Sequence, residues 1–274
     1  ATALAATSHI KVGIGLMPAT VRNPLFVAME ITTLARLYPG RFMPGFGHGV
    51  DSWMKQIGAA PKSTMKALEE TVNAVRALLS GENVTLLGDH VHLENVQLKH
   101  IPKQQPPLYI GAMREKTMQL AGRVGDGTIL TEMSSPAYVR WAREQINIGM
   151  SETGRTDHKV AVFTYAKVGP DSQQARQTIR KTLGETLVWA KPHLTPLGIA
   201  DEAAQLFNNV GAEKAAEQLP EAWLDELSAS GTPQQAAATI KRLGEAGADS
   251  VVLLPPKGDP ACLGEYLTYL MPLL

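Results

Sequence analysis

Long apolar runs, spare cysteines and an excess of either charge are all missing from this chain of 274 residues. No apolar stretch approaches the ~18 residues that a membrane-spanning helix needs, so no membrane partner is expected. One cysteine, Cys262, excludes an internal disulfide framework and fits a reducing, cytoplasmic compartment. Lysine plus arginine equals aspartate plus glutamate at 26 each, which removes the electrostatic signature of a nucleic-acid binder. The opening ATALAATSH lacks both a basic segment and an apolar core and does not read as a signal peptide. Low-complexity tracts and domain linkers are also absent. A chain of this length buries one large core or two modest ones.

What is present is a repeated strand–helix unit. Residues 10–16 are short and largely apolar, as in a strand buried on both faces. Asn23 then stands at a helix N-cap with Pro24 in the first position, where its missing N–H is harmless. Leu25, Ala28, Met29, Ile31, Leu34 and Leu37 recur at helical spacing, and Gly40 ends the helix before a second strand over 41–47. A loop is predicted after Gly49, then a helix over 62–79 and a hairpin over 84–98 turning at Gly88-Asp89. Further strands are predicted over 108–112, 127–131, 160–168 and 250–254, with helices over 115–124, 136–150, 173–190 and 263–270. Thr232 and Gln235 have capping-box spacing and open another helix, which ends at Gly247. The proline-punctuated segment 191–230 reads as an insertion on the ligand side of the fold.

Six such strands, mostly joined through helices, predict an α/β fold, a (β/α)8 TIM barrel with two βα units unaccounted for, in one domain over 1–274. An open sheet covered on both sides is the alternative. The abrupt entry into a buried-type strand places the deficit at the N-terminus.

Ligands of such folds sit where strands end. Gly111-Ala112-Met113-Arg114 joins a strand to a helix, where free N–H groups and the helix dipole favour a phosphate; an ordinary tight turn is the competing reading. Thr131 and Glu132 end the next strand and either face the same mouth or cap a turn. His48, between Gly47 and Gly49, either gives a proton or hydrogen bond near neutral pH or merely fills a turn. The glycines of Gly13-Ile14-Gly15 read as relief of crowding. His90 and His92 share a hairpin face without a third ligand, so no metal site is expected. His9, His100, His158 and His193 read as solvated, and Phe26, Phe42 and Trp141 as core. No nucleophile elbow or Walker sequence occurs.

Four segments in order, Gly13-Ile14-Gly15-Leu16, Leu37-Tyr38-Pro39-Gly40-Arg41-Phe42, Gly45-Phe46-Gly47-His48-Gly49 and residues 120–127 (LAGRVGDG), together resemble the bacterial luciferase-like superfamily. The likeness runs from about residue 3 to 254 and is strongest to the coenzyme F420-dependent, methylenetetrahydromethanopterin reductase-like branch. It implies a barrel holding a flavin or deazaflavin across the strand C-termini. A non-prolyl cis peptide supports the ring in that family, and its counterpart here is Gly15–Leu16, followed by Met17. Gly111, Ala112 and Met113 would take the cofactor phosphate, with Thr131 nearby. Gly47, His48 and Glu132 would border ring or substrate, with His48 and Glu132 as the catalytic candidates. Hydride transfer between ring C5 and a small-molecule substrate is the implied reaction, in a homodimer.

The chain departs from that pattern in two places. The first two strand–helix units have no counterpart, so sheet edges need cover, from a partner chain or, more simply, from the rest of a shortened chain. Val50 replaces a glutamate carried by some sugar-phosphate-oxidising relatives, which disfavours that substrate class. An FMN-dependent monooxygenase and a truncated, non-catalytic cofactor-binding barrel are the competing expectations.

Overall fold

In the computed structural model every residue of the chain is described except Ala212. Two units emerge, Ala1–Ile129 with Ile146–His158 and Leu130–Gln145 with Lys159–Leu274.

The first unit opens with a single helical turn, α1 (Thr2–Ala5), and strand β1 (Val12–Pro18). Helix α2 (Pro24–Leu37) follows, capped as expected by the Asn23 side chain, which accepts from the Leu25 N–H at 2.9 Å. Its buried stripe is Pro24, Val27, Ala28, Ile31, Thr32 and Ala35, a clean three–four alternation. Phe26, expected in the core, is 59% exposed on the opposite face, as are Met29 and Leu37. The helix is apolar nearly all round, so hydrophobicity alone could not choose its buried face.

Strand β2 (Phe42–Gly47) pairs parallel with β1, the register shifting between Ile14 and Met17. Helix α3 (Asp51–Gln56) occupies part of what was expected as loop; only Met54 is buried in it, too little for a periodic signal. Helix α4 (Thr64–Leu79) and the antiparallel hairpin β3 (Val84–Leu87) and β4 (His92–Val96) match expectation. Strand β5 (Tyr109–Ala112), helix α5 (Glu115–Val124) and strand β6 (Gly127–Leu130) complete the unit, with sheet order β1-β2-β5-β6. Leu68, Val72, Val75, Leu78, Leu108, Ile110 and Leu120 lie at its core, each stabilising the fold by roughly 1.5–3 kcal/mol.

Helix α6 (Pro136–Thr153) carries the boundary between the units, and Ser135 caps it by accepting from the Tyr138 N–H. The second unit continues with β7 (Lys159–Val168) and α7 (Ser172–Thr186). The proline-punctuated segment is helical: α8 (Lys191–Leu197), α9 (Ala200–Gln218), which is broken at Gly211 with φ at +76°, and α10 (Glu221–Leu227). Next come β8 (Ser228–Gly231), α11 (Pro233–Glu245), β9 (Ser250–Leu254) and α12 (Ala261–Glu265). Along β7, residues 161–165 pair parallel with β9 and residues 165–168 with β8. Strand β8 was not expected. Its sequence, Ser-Ala-Ser-Gly, has no β-branched or aromatic residue, yet all four residues are buried.

One device serves both units. Asp126 accepts from the Leu108 N–H at 2.8 Å and from Arg76 and Arg155, while its own N–H donates to the Leu108 carbonyl. Asp249 likewise accepts from the Val160 N–H at 2.8 Å and from Arg143, and its N–H donates to the Val160 carbonyl. Each aspartate stands just before a strand and ties it to the start of another. Burial pushes both carboxyls up, but the N–H and arginine partners outweigh it and hold both below the ordinary range.

Candidate functional site

In the first unit the ends of β1, β2 and β5 meet around Leu16. The Gly15–Leu16 peptide bond is cis, as the family resemblance implies, and falls within the interrupted register of β1 on β2. A Cβ on Gly47 would lie 2.5 Å from Leu16 Cδ2, and one on Gly111 would lie 2.1 Å from the same atom. Both glycines therefore make room for the Leu16 side chain. Gly45 faces the Ile14 carbonyl oxygen, where a Cβ would sit 2.3 Å away. Crowding thus explains Gly45. It does not explain Gly13, where a Cβ would meet nothing closer than 3.4 Å.

Beyond Gly111, Ala112 is buried and Met113 half-buried, and α5 starts at Glu115. Arg114 holds the N-cap position without a side-chain capping bond, so the first N–H groups of α5 remain donors. Arg114 and Lys116 are exposed beside them. An uncapped ten-residue helix flanked by two cations fits a phosphate, with Glu115 as the opposing charge.

His48 follows β2 and is half-buried. Its Nε2 meets Thr117 Oγ1 at 3.2 Å, and the Thr117 hydroxyl donates to Met65 Sδ at 3.6 Å. The Thr64 backbone offers the ring a second acceptor, so the imidazole proton has a partner on either side. Nδ1 makes no bond of good geometry. Burial lowers the His48 pKa, offset in part by the neighbouring Thr64 backbone, so the ring stays neutral near pH 7.

Thr131 and Glu132 belong to the second unit. The Thr131 hydroxyl meets His193 Nε2 at 2.9 Å, and the Ser134 hydroxyl donates to the Thr131 carbonyl at 2.6 Å. Met133, between them, is buried with φ at +67°, a left-handed conformation uncommon for a residue with a side chain. The Glu132 charge helps raise Tyr165, whose hydroxyl is pushed up to about 12 chiefly by burial. His193, expected to be solvated, is 1% exposed; His158, also expected in solvent, is buried against Thr128 at 2.8 Å. The His193 ring lies 4.4 Å from that of Tyr138, and burial takes its pKa down to about 4. Sequence reasoning had no means of finding His193 as a partner of Thr131, since 62 residues separate them.

Several clefts open along α7 in the second unit, one of about 680 Å³ between Asp171–Thr182 side chains and Pro256, Lys257 and Asp259. None of these is lined by a predicted site residue. Among the described residues, no cluster of three or more His, Cys, Asp or Glu could hold a metal ion, and no helix is long and apolar enough to cross a membrane.

Parallel strands followed by helices, with glycine-lined strand ends around Leu16, make this an α/β protein. The chain belongs to the luciferase-like monooxygenase family, whose model matches residues 1–250, and is an oxidoreductase of that family. It is 26% identical over 260 residues to a 5,10-methylenetetrahydromethanopterin reductase of Methanolobus tindarius, spanning 92% of this chain and 79% of that protein. It is 27% identical to an F420-dependent glucose-6-phosphate dehydrogenase of Kineococcus radiotolerans, spanning 98% and 80%. The coenzyme F420-dependent tetrahydromethanopterin reductase of Methanopyrus kandleri shares the fold with a TM-score of 0.80, at 22% identity over 99% of this chain and 85% of that one. The oxygenating constituent of 3,6-diketocamphane monooxygenase of Pseudomonas putida, solved with FMN, gives 0.72 at 17% identity over 100% and 82%.

Proposed function

We propose that this oxidoreductase uses coenzyme F420 and moves a hydride to or from a small organic substrate. The observation that carries the reading is the seating of Leu16 against Gly47 and Gly111, one strand-turn away from the uncapped N-terminus of α5. Gly15, Leu16, Met17 and Gly47 are the proposed support of the planar ring, and Gly111, Ala112 and Met113 the proposed phosphate seat. The bound deazaflavin supplies a ring carbon that carries hydride. His48 is the proposed polar group beside the reacting atoms in the first unit, held neutral by burial, with its Nε2 against the Thr117 hydroxyl. Thr131 and Glu132, in the second unit, are a further proposed cofactor contact and catalytic carboxylate. Nonpolar walls such as Leu16 and Ala112 would exclude water from the ring face. Val50 still argues against sugar phosphates as substrate.

Titration with F420 and with FMN, followed by thermal shift and fluorescence, tests this directly. Saturable stabilisation by F420 is expected, growing with ligand concentration. Stabilisation by FMN alone would replace the reading with a flavin monooxygenase, and no shift with either would leave a non-catalytic barrel. A homodimer is proposed as well, supported by the exposed Phe26, Met29 and Leu37 on α2; a monomeric mass by light scattering would remove it.

A further inference from the structure

A thiol enclosed on all sides by apolar side chains is inert, because it meets neither a charge nor a reactant. Cys262, the one cysteine of the chain, is fully buried, but only part of its surroundings is of that kind. Ala166, Val168, Ala236 and Leu270 belong to the same apolar cluster. On another side the sulfur meets the Lys167 ammonium, whose Nζ donates to Sγ at 3.6 Å. The Tyr266 hydroxyl, which donates to the Ala166 carbonyl at 2.6 Å, is hydrogen-bonded to the same sulfur.

Lys167 stands near the end of β7, and Cys262 and Glu265 lie on α12, so the cluster falls wholly within the second unit. Both Glu265 carboxylate oxygens accept from Lys167 Nζ, at 2.6 and 2.8 Å, which fixes the nitrogen within reach of the sulfur. Lys167, Cys262 and Glu265 line one cavity of about 330 Å³, together with Gln174, Pro256 and Asp259. Hydrogen peroxide is little larger than water and fits a polar space of that size. The chain has no second cysteine, so an oxidised Cys262 finds no internal thiol for a disulfide. The nucleophile already touching it is the Lys167 nitrogen.

We propose that a peroxide oxidises Cys262 and that Lys167 then joins it through a sulfur–nitrogen bond, making a reversible redox tie between β7 and α12. In the first step the O–O bond of hydrogen peroxide breaks and an S–O bond forms. The products are a Cys262 sulfenic acid and water, with the thiol proton leaving in the water. In the second step Glu265 takes a proton from the Lys167 ammonium, the freed amine attacks sulfur, and the S–O bond breaks. The departing hydroxyl leaves as water with a second proton from the nitrogen, so the products are a sulfenamide, water and a neutral Glu265 carboxyl. Sulfur keeps the oxidation level of the sulfenic acid, and no second oxidant is consumed. A thiol reductant returns the free thiol and amine. The flexible four-carbon stem of lysine lets its nitrogen close the remaining gap.

Tryptic maps of the full chain after treatment with hydrogen peroxide, with and without later dithiothreitol, test the tie. The expected product is a pair of peptides joined between Lys167 and Cys262, lighter by two hydrogens than the same peptides apart. Trypsin should no longer cut after Lys167, and dithiothreitol should restore the cut and both free peptides. Reading peptides rather than whole-chain mass keeps methionine oxidation out of the result. Lys167→Arg keeps a cation against Glu265 but has no nucleophilic amine, so it should lose the link and leave a Cys262 sulfenic acid that dimedone traps. The joined parent should also melt a few degrees higher than the reduced parent, because the tie spans 95 residues of chain, and Lys167→Arg should show no such gain. A Cys262 that stays unmodified, one oxidised while trypsin still cuts at Lys167, or a linked pair carrying an extra oxygen overturns the proposal. F420 and FMN enter none of these measurements, so the result leaves the cofactor reading untouched.

Discussion

His48 meets Thr117 in the first unit and His193 meets Thr131 in the second, and these two pairs are finished differently. In the first unit His48 and Thr117 end on the sulfur of Met65, and the surrounding strand ends are shaped by missing side chains at Gly45, Gly47 and Gly111. In the second unit the Thr131 hydroxyl makes no hydrogen bond beyond His193 among the described residues, and the surroundings are shaped by polar groups: Ser134, Tyr138 and the Glu132–Tyr165 neighbourhood. One region is organised by close backbone approach and the other by hydrogen-bond direction. Close approach fails when atoms are added, whereas a directed network fails when a proton is moved.

The sharpest way to break that contrast is to add one methyl group to each unit. Helices α5 and the C-terminal half of α6 cross through glycines in the first unit: a Cβ on Gly149 would lie 1.8 Å from the Gln119 carbonyl oxygen, and one on Gly122 would lie 2.2 Å from that of Ile146. Backbone cannot step aside as a side chain does. Gly149→Ala is expected to cost about 3 kcal/mol, read as a fall in the urea midpoint. Gly244 in α11 has nothing within 4 Å of its would-be Cβ, so Gly244→Ala should raise stability by about 1 kcal/mol, from helix propensity.

Acid sharpens the comparison from the other side. The His193 pKa is about 4 when folded, against ~6.5 in an unfolded chain. Between those values the unfolded chain binds more protons, so stability falls as pH drops from about 6.5 to 4 and is indifferent to this group above that window. The full loss is about 3 kcal/mol. His48, also lowered by burial, pushes in the same direction. Denaturant melts at pH 7 and pH 4.5 should show the loss, and His193→Phe should shrink the difference; an unchanged difference would place the acid sensitivity elsewhere.

The aspartate ties should respond alike, with a graded size. Asp126→Asn loses a charge partner for Arg76 and Arg155 and should cost about 2 kcal/mol, from charge-assisted hydrogen bonds. Asp249→Asn, partnered by Arg143 and Lys159 and more open to solvent, should cost less. Smallest are the helix caps. Asn23→Ala and Thr232→Ala should each cost about 1 kcal/mol by thermal melts, since each removes one side-chain oxygen from a helix start. A large inequality between those two would mean that the units respond differently even to local changes.

Elements with local causes were legible in the chain. Thr232 and Gln235 form both bonds of their capping box, the hairpin turns at Gly88-Asp89, and α5 covers the predicted 115–124. The cis Gly15–Leu16 bond was anticipated through the family resemblance, and the free start of α5 through the strand-to-helix junction at Gly111. Strand β8 was not, because nothing in Ser-Ala-Ser-Gly favours a strand; its burial comes from neighbours, with Ser228 bonded to Ser230 and to the Leu224 carbonyl. Phe26 misled because a helix apolar on two faces does not say which one the core takes.

By itself, then, the chain determined what depends on neighbours a few residues apart: strand and helix periods, caps, glycine turns and the order of family segments. Tertiary structure alone decided which histidines leave water, which face of α2 is buried, and that His193 meets Thr131. Those outcomes depend on distances between residues far apart in the chain, and burial changes the energy of a polar group only after such distances are set.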